Sequence, residues 1–430
     1  MKKNVFLLLI GVVLVYIGVA ICKTSNIEDI IKADTEASVI KHENSLSMML
    51  ETEANSGNYE MTTGSEWPTE GYVFNTELSK CENGGELSWD DENKRVLMSG
   101  NASDKCYVYF DLYNPTLAEY VISQYKGVQG NNNIYYHDSS LTNGAGDNSY
   151  RFAGSSDLVN NFVCFGSEVT PCPLSSLYRI IGVFNGQIKL ILSEPATIDM
   201  LGTDGDYYLT SSKLETSYNG DYKNDNLNIG VYSWNANTSD IKWASSNLNN
   251  INLNKNFINY LTANWSDKIA TTTWKVTQNT FSKISVSSIN HAYQNEMVNP
   301  ESSTSYEAKI GLMYVSDYGY AATPTYWSAR YSNYEGPTPN QTLDDNNYLE
   351  NGALKANWLY KGVNEWSIST YSASPENPFF LPISGSMPMS ICNLTVVKMN
   401  IYTRPTFYLV NNVQYKSGSG TKTDPIILGD

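Results

Sequence analysis

Four of the six cysteines bracket short loops, and that spacing constrains the fold more than any other feature of the 430-residue chain. Cys164 and Cys172 lie in FVCFGSEVTPCPLSSLYRIIGVFNGQIKLIL, which begins at Phe162 and runs into two strand-like segments. Cys81 and Cys106 close CENGGELSWDDENKRVLMSGNASDKC. The Cys164–Cys172 spacing is too wide for a CxxC zinc or redox motif, and no histidine lies near; the chain has only His42, His137 and His291. A disulfide across the shorter loop stabilises by about 2.5 kcal/mol on the chain-entropy estimate, and one across the longer by about 3.5 kcal/mol. Whether these thiols are oxidised depends on the compartment.

The amino terminus, MKKNVFLLLIGVVLVYIGVAICKTS, answers that question. Lys2 and Lys3 precede an apolar run over residues 5–22. As a helix it spans about 27 Å, barely enough for a hydrocarbon core of roughly 30 Å. The leading lysines keep the N-terminus inside, so residues 5–22 read as a single-pass membrane anchor with the bulk of the chain outside the cell. Gly18-Val19-Ala20 is a poor cleavage site; were the leader cut, the protein would be secreted. Ile21 ahead of Cys22 argues against a lipoprotein. Exported thiols pair, so two disulfides are expected, Cys81–Cys106 and Cys164–Cys172. Cys392 is left over and reads as a buried free thiol.

The formal charge of −16 argues against a nucleic-acid partner, which would need clustered lysine and arginine. Only 17% of residues are charged, so this is no acidic disordered chain. Asn, Ser, Thr and Gly supply the polarity, alongside 32 Tyr and 9 Trp. That composition suits exposed strand faces, and also suits binding surfaces built on aromatic contact and adaptable hydrogen bonds.

Residues 24–66 read as a helical stalk or linker, with no Pro or Gly in IEDIIKADTEASVIKHENSLSMMLETEA. Residues 67–115 read as a small β domain stapled by its own disulfide, and residues 116–159 as a connecting helix (AEYVISQYKG) and loop. From residue 160 to 430, strand candidates (YRIIGVF, QIKLIL, KIGLMYVS, RPTFYLV) alternate with amphipathic pieces such as SSNLNNINLNKNFINYL. Asn185-Gly186 between the first two strands is a hairpin signal. The mixture predicts an α+β protein.

Taken in order, YRIIGVFNGQIKLI, IGLMYVSDYGYAA, NWLYKGVNEWSIS and TRPTFYLVNNVQYKSGSGTKTDPI resemble a large, uncharacterised family of Asn- and Tyr-rich surface proteins of low-GC Gram-positive bacteria. TEGYVFN, SKCENGG and DKCYVYFD are similar to that family's N-terminal unit. The resemblance implies a C-type-lectin-like, sulfatase-modifying-factor-like C-terminal domain. It implies Trp358 and Trp366 in a core strand, Arg404-Pro405 opening the closing strand, and a binding surface over residues 369–402. The span TYSASPENPFFLPISGSMPMSICNLTVVKMNIY is more apolar than such a surface should be. The ligand-binding residues expected on this basis are Trp358, Glu365, Trp366, Tyr371 and Arg404.

No catalytic residue is assigned, because no histidine stands in a nucleophile context and no carboxylate pair is singled out by spacing. Glu365 beside Trp366 is the sharpest acid, since an aromatic neighbour can raise a carboxyl pKa. No metal ligand set and no cofactor is expected. For calcium, TDGDYYL (from Thr203) and LDDNNYLENG (from Leu343) cluster oxygens without EF-hand spacing, and Asx turns explain them. The expected function is a cell-surface adhesion or ligand-binding protein whose partner is an extracellular glycan or a host or bacterial surface protein. The alternatives are a surface glycan hydrolase on the same scaffold and a structural surface-layer component.

Overall fold

The computed structural model describes residues 46–53, 56–62, 66–68, 71–100, 104–211, 214, 218, 220–224, 228–236, 242–284, 287–329, 356–372, 374–381, 390–391 and 400–429. The membrane anchor expected at residues 5–22, the stalk up to residue 45, Cys22 and Cys392 lie outside them. Among the described residues no helix is long and apolar enough to cross a membrane. The fold is α+β, with most of its regular structure in sheets. It divides into two compact units between Asn114 and Pro115.

The smaller unit begins earlier than its sequence suggested. Leu46–Glu51 and Tyr59–Thr62, placed in the helical stalk by their lack of Pro and Gly, are antiparallel strands. The first also runs parallel to Cys106–Leu112, with Met48 opposite Val108 and Leu50 opposite Phe110. Tertiary pairing overrides helix propensity here, because a strand puts Leu46, Met48 and Leu50 on one face. That face covers a core of Met48, Val96, Val108 and Phe110. Cys81 and Cys106 sit directly opposite on adjacent strands and form a disulfide. Between them in sequence, Glu86–Asp90 and Arg95–Ser99 form a hairpin.

In the larger unit, the helix Leu117–Tyr125 opens on a capping box: the Glu119 amide donates to Thr116 Oγ1 and the Thr116 amide to Glu119 Oε2. The segment 116–159 is no mere connector. Ile134–His137 and Ser149–Phe152 pair with each other, and Ser149–Phe152 also pairs with Leu177–Phe184. A nine-stranded sheet is built on the hairpin Leu177–Phe184 and Gln187–Leu192. Its turn, Asn185-Gly186, has both residues at positive φ (50° and 79°), the geometry a two-residue hairpin demands. Phe162–Cys164 flanks the hairpin on one side and Thr406–Tyr408 on the other. The Cys164–Cys172 disulfide ties the end of the first flanking strand to the turn that precedes Leu177.

An eight-stranded sheet centres on Asn364–Tyr371. Ile401–Tyr402 runs parallel to its start and Thr272–Asn279 parallel to its end. The strand expected from KIGLMYVS is cut to Ile310–Gly311, and a short helix, Val315–Tyr320, follows. Buried Glu296 holds the start of that helix, accepting from the amides of Val315 and Ser316 at 2.9 and 2.8 Å. Elsewhere, Lys189 donates to Asp317 at 2.5 Å among the rings of Tyr314, Tyr408, Trp274 and Phe184. Nearby Arg151 donates to Asp147 at 2.5 Å, which holds the Asp147 carboxyl far below the usual range despite partial burial. His137 is fully buried; its Nδ1 accepts from the Ala145 amide at 3.0 Å and burial keeps the ring neutral.

Candidate functional site

Charged side chains do not enter an apolar interior unpaired, so charges inside buried strands point to built structure. The larger unit has five that converge. Arg179 projects from Leu177–Phe184, Glu194 follows Gln187–Leu192, and Arg404 lies where the chain passes from Ile401–Tyr402 in one sheet to Thr406–Tyr408 in the other. Glu365 sits at the start of Asn364–Tyr371, and Lys361 in the turn ahead of it. All five are buried.

Their partners are specific. Arg404 Nη2 donates to Glu365 Oε2 at 2.7 Å and to the Leu359 carbonyl at 2.8 Å, and its Nε pairs with Glu365 Oε1. Lys361 Nζ donates to Glu194 Oε1 at 2.7 Å, and the Tyr218 hydroxyl donates to Glu194 Oε2. Arg179 is held by neutral oxygens instead: Asn161 Oδ1 at 2.6 Å, Ser156 Oγ at 2.8 Å and the Val159 carbonyl at 2.8 Å. Its guanidinium lies 4.2 Å from the centre of the Phe162 ring and 4.7 Å from that of Trp358. Burial raises the Glu365 carboxyl, with Arg404 opposing. Burial lowers Lys361, Glu194 opposes, and Arg404 and Arg179 add to the lowering. Arg179 falls to about 9 through burial and the proximity of Arg404, which leaves it cationic at neutral pH.

Over this cluster opens a cleft of about 550 Å³. Lys361, Asn357 and Tyr360 come from the turn ahead of Asn364–Tyr371, and Ser156, Asp157 and Phe162 from the segment that runs into Phe162–Cys164. At its mouth the Lys422 ammonium contacts the Asp221 carboxylate. Two glycines make the walls close-packed. Gly220 lies so near that any side chain there would strike Glu194 and Tyr218. Gly420, at φ +75°, accepts from the Phe162 amide at 2.8 Å, and a Cβ would sit 2.7 Å from the Asn160 carbonyl oxygen. The loop bearing Lys422 is thereby fixed against the cleft wall.

The residues singled out from sequence are mostly internal. Trp358 is fully buried, donates its indole N–H to the Phe152 carbonyl at 2.8 Å and backs Arg179. Glu365 and Arg404 pair with each other beneath the cleft and do not line it. Trp366 is buried, donates to the Tyr232 carbonyl at 2.8 Å and packs on Phe380, away from the cleft. Tyr371 is half-buried at the end of its strand, against the hydrophobic core. Trp358, Glu365 and Arg404 are therefore brought together as support, and Trp366 and Tyr371 are not part of the site. Residues 373, 382–389 and 392–399, about half of the span expected to carry a binding surface, lie outside the described residues; Phe379, Phe380 and Leu381 are buried.

Sequence reading passed over Arg179, Glu194 and Lys361. The signal was present: a charge within LYRIIGVF and another directly after QIKLILS interrupt runs otherwise suited to full burial. In TDGDYYL the carboxylates serve the backbone and neighbouring amides, Asp206 accepting from the Leu248 amide at 2.9 Å and Asp204 from Asn256 at 2.6 Å. LDDNNYLENG lies outside the described residues. Among the described residues, Cys81, Asp104 and Cys106 come close enough together to hold an ion, but the two sulfurs are joined in a disulfide. No protein-family model, curated protein or solved structure matches the chain.

Proposed function

We propose that the protein is a cell-surface binding protein, held at the membrane through residues 5–22, whose larger unit takes an extracellular glycan into the cleft above Lys361. The cleft itself carries the reading. Its volume of about 550 Å³ falls within the range of small-molecule sites. Its lining interleaves the rings of Phe162 and Tyr360 with the amide of exposed Asn160, the hydroxyl of Ser156 and charged groups. Flat rings stack on the C–H faces of sugars while amides and hydroxyls fix their orientation. We read the larger unit as C-type-lectin-like. In support, its first and last segments pair: the Leu117 amide donates to the Val413 carbonyl at 2.8 Å and the Tyr415 amide to Pro115 at 2.9 Å. A hydrolase gains nothing from Glu365, because Arg404 occupies that carboxylate in the interior.

The test is a glycan array probed with the intact protein and with Tyr360→Ala. Binding that the substitution removes supports the reading. Silence across the array, or hits that Tyr360→Ala leaves intact, contradicts it.

A further inference from the structure

The five buried charges beneath the cleft do not cancel. Arg179, Lys361 and Arg404 are cations; Glu194 and Glu365 are anions. Each anion already has a cationic partner, and Arg179 has only neutral acceptors among the described residues. The surplus lies directly behind the residues that line the cleft. Arg179 donates to Ser156 and lies on the ring of Phe162, both of which line it, while Lys361 lines it directly. Arg404 Nη1 is buried with no hydrogen-bond partner among the described residues. From this charge imbalance beneath the cleft, and resting on the reading above, we infer that its glycan ligand is acidic, with the acid group seated against Lys361 on the Arg179 side.

The rim does not undo this imbalance. Lys422 and Asp221 neutralise each other, which leaves Asp157, and Asp157 is exposed. An exposed charge is screened by water and salt, whereas one in a low-dielectric interior acts at several times the strength at the same distance. Burial lowers the proton affinity of Lys361 against the pull of Glu194, and Arg404 and Arg179, which crowd its ammonium, add to that lowering. A bound anion relieves that repulsion without displacing Glu194. A neutral sugar leaves it in place. Both a carboxylate and a sulfate ester supply the required charge.

The experiment is a calorimetric titration of the intact protein with three probes of one ring type: methyl β-glucoside, methyl β-glucuronide and glucose 6-sulfate. The inference expects at least one acidic probe to bind about tenfold or more tightly than the neutral one, the scale of a single close charge pair. Preference for the glucuronide assigns a carboxylate, and preference for the sulfated sugar a sulfate. Raising salt must erode the preference, and Lys361→Gln must abolish it; because that variant alters a buried pair, the wild-type comparison decides alone if it does not fold. Equal affinity for all three, tighter binding of the neutral sugar, or no binding of any probe overturns the acidic assignment. The glycan reading survives those outcomes if array hits persist and are lost in Tyr360→Ala, so the two failures are distinguishable.

Discussion

Lys361 and Glu194 meet at 2.7 Å beneath the cleft, on a carboxylate that Tyr218 also holds. The pair sits beside two further cations, Arg404 and Arg179, so Glu194 is what makes a buried ammonium tolerable there. Glu194→Gln keeps the shape and removes the charge. It should cost about 3 kcal/mol in urea denaturation at pH 7, the scale of breaking a buried ion pair. In the variant the Lys361 pKa falls further below its unfolded value near 10.4, so the unfolded state binds more protons and stability rises with pH. The loss should therefore shrink between pH 7 and 10; a pH-independent loss would point to packing instead.

Arg404 and Glu365 form the second pair, and truncating one strands the other. Glu365→Ala should destabilise by about 3–5 kcal/mol, and replacing both partners with apolar residues should recover much of that loss. A double-mutant cycle measures the coupling. If Glu365→Ala is neutral in stability yet changes ligand turnover, Glu365 is no support residue and the hydrolase alternative returns.

Acid acts elsewhere. Asp147 titrates far below the ordinary carboxylate range because Arg151, Ser149 and Tyr293 all favour its charged form over the opposing effect of burial. Its contribution is present above the unfolded aspartate value near 3.9 and is lost as pH falls toward the folded value. Asp147→Asn should thus lower the melting temperature at pH 7, by roughly 2 kcal/mol in stability, and leave a smaller gap at pH 2.5.

How far these features were legible depended on whether their cause was local. The Asn185-Gly186 hairpin could be read because turn chemistry lies within a few residues. The strand at Leu46–Glu51 could not, since its partner is some sixty positions away at Cys106–Leu112. Its spacing, Leu46, Met48 and Leu50, does alternate, but apolar Met49 on the other face blurred the pattern. The site was hidden for the same reason. Arg179 and Trp358 stand face to face across 179 positions, and Lys361 reaches Glu194 across 167. The resemblance singled out Trp358, Trp366 and Arg404, but only the folded geometry shows that Trp358 and Arg404 back a cleft without lining it and that Trp366 lies away from it.

The two disulfides should be separable in stability. Cys164→Ser with Cys172→Ser opens an eight-residue separation and should cost about 2.5 kcal/mol, against about 3.5 kcal/mol for the pair at Cys81 and Cys106. Non-reducing peptide mapping of the protein from its native host should recover both bridges and no exchange between them. Reduced thiols at these four positions would contradict the extracellular reading.

The central claim is that ligand enters the cleft above Lys361. Hydrogen–deuterium exchange of the intact protein, with and without a saturating acidic saccharide taken from the array, tests it most directly. The account predicts slowed exchange at residues 156–162, 357–361 and 418–424, the segments that wall the cleft. Protection confined to residues 369–402, with those three segments unchanged, would contradict it.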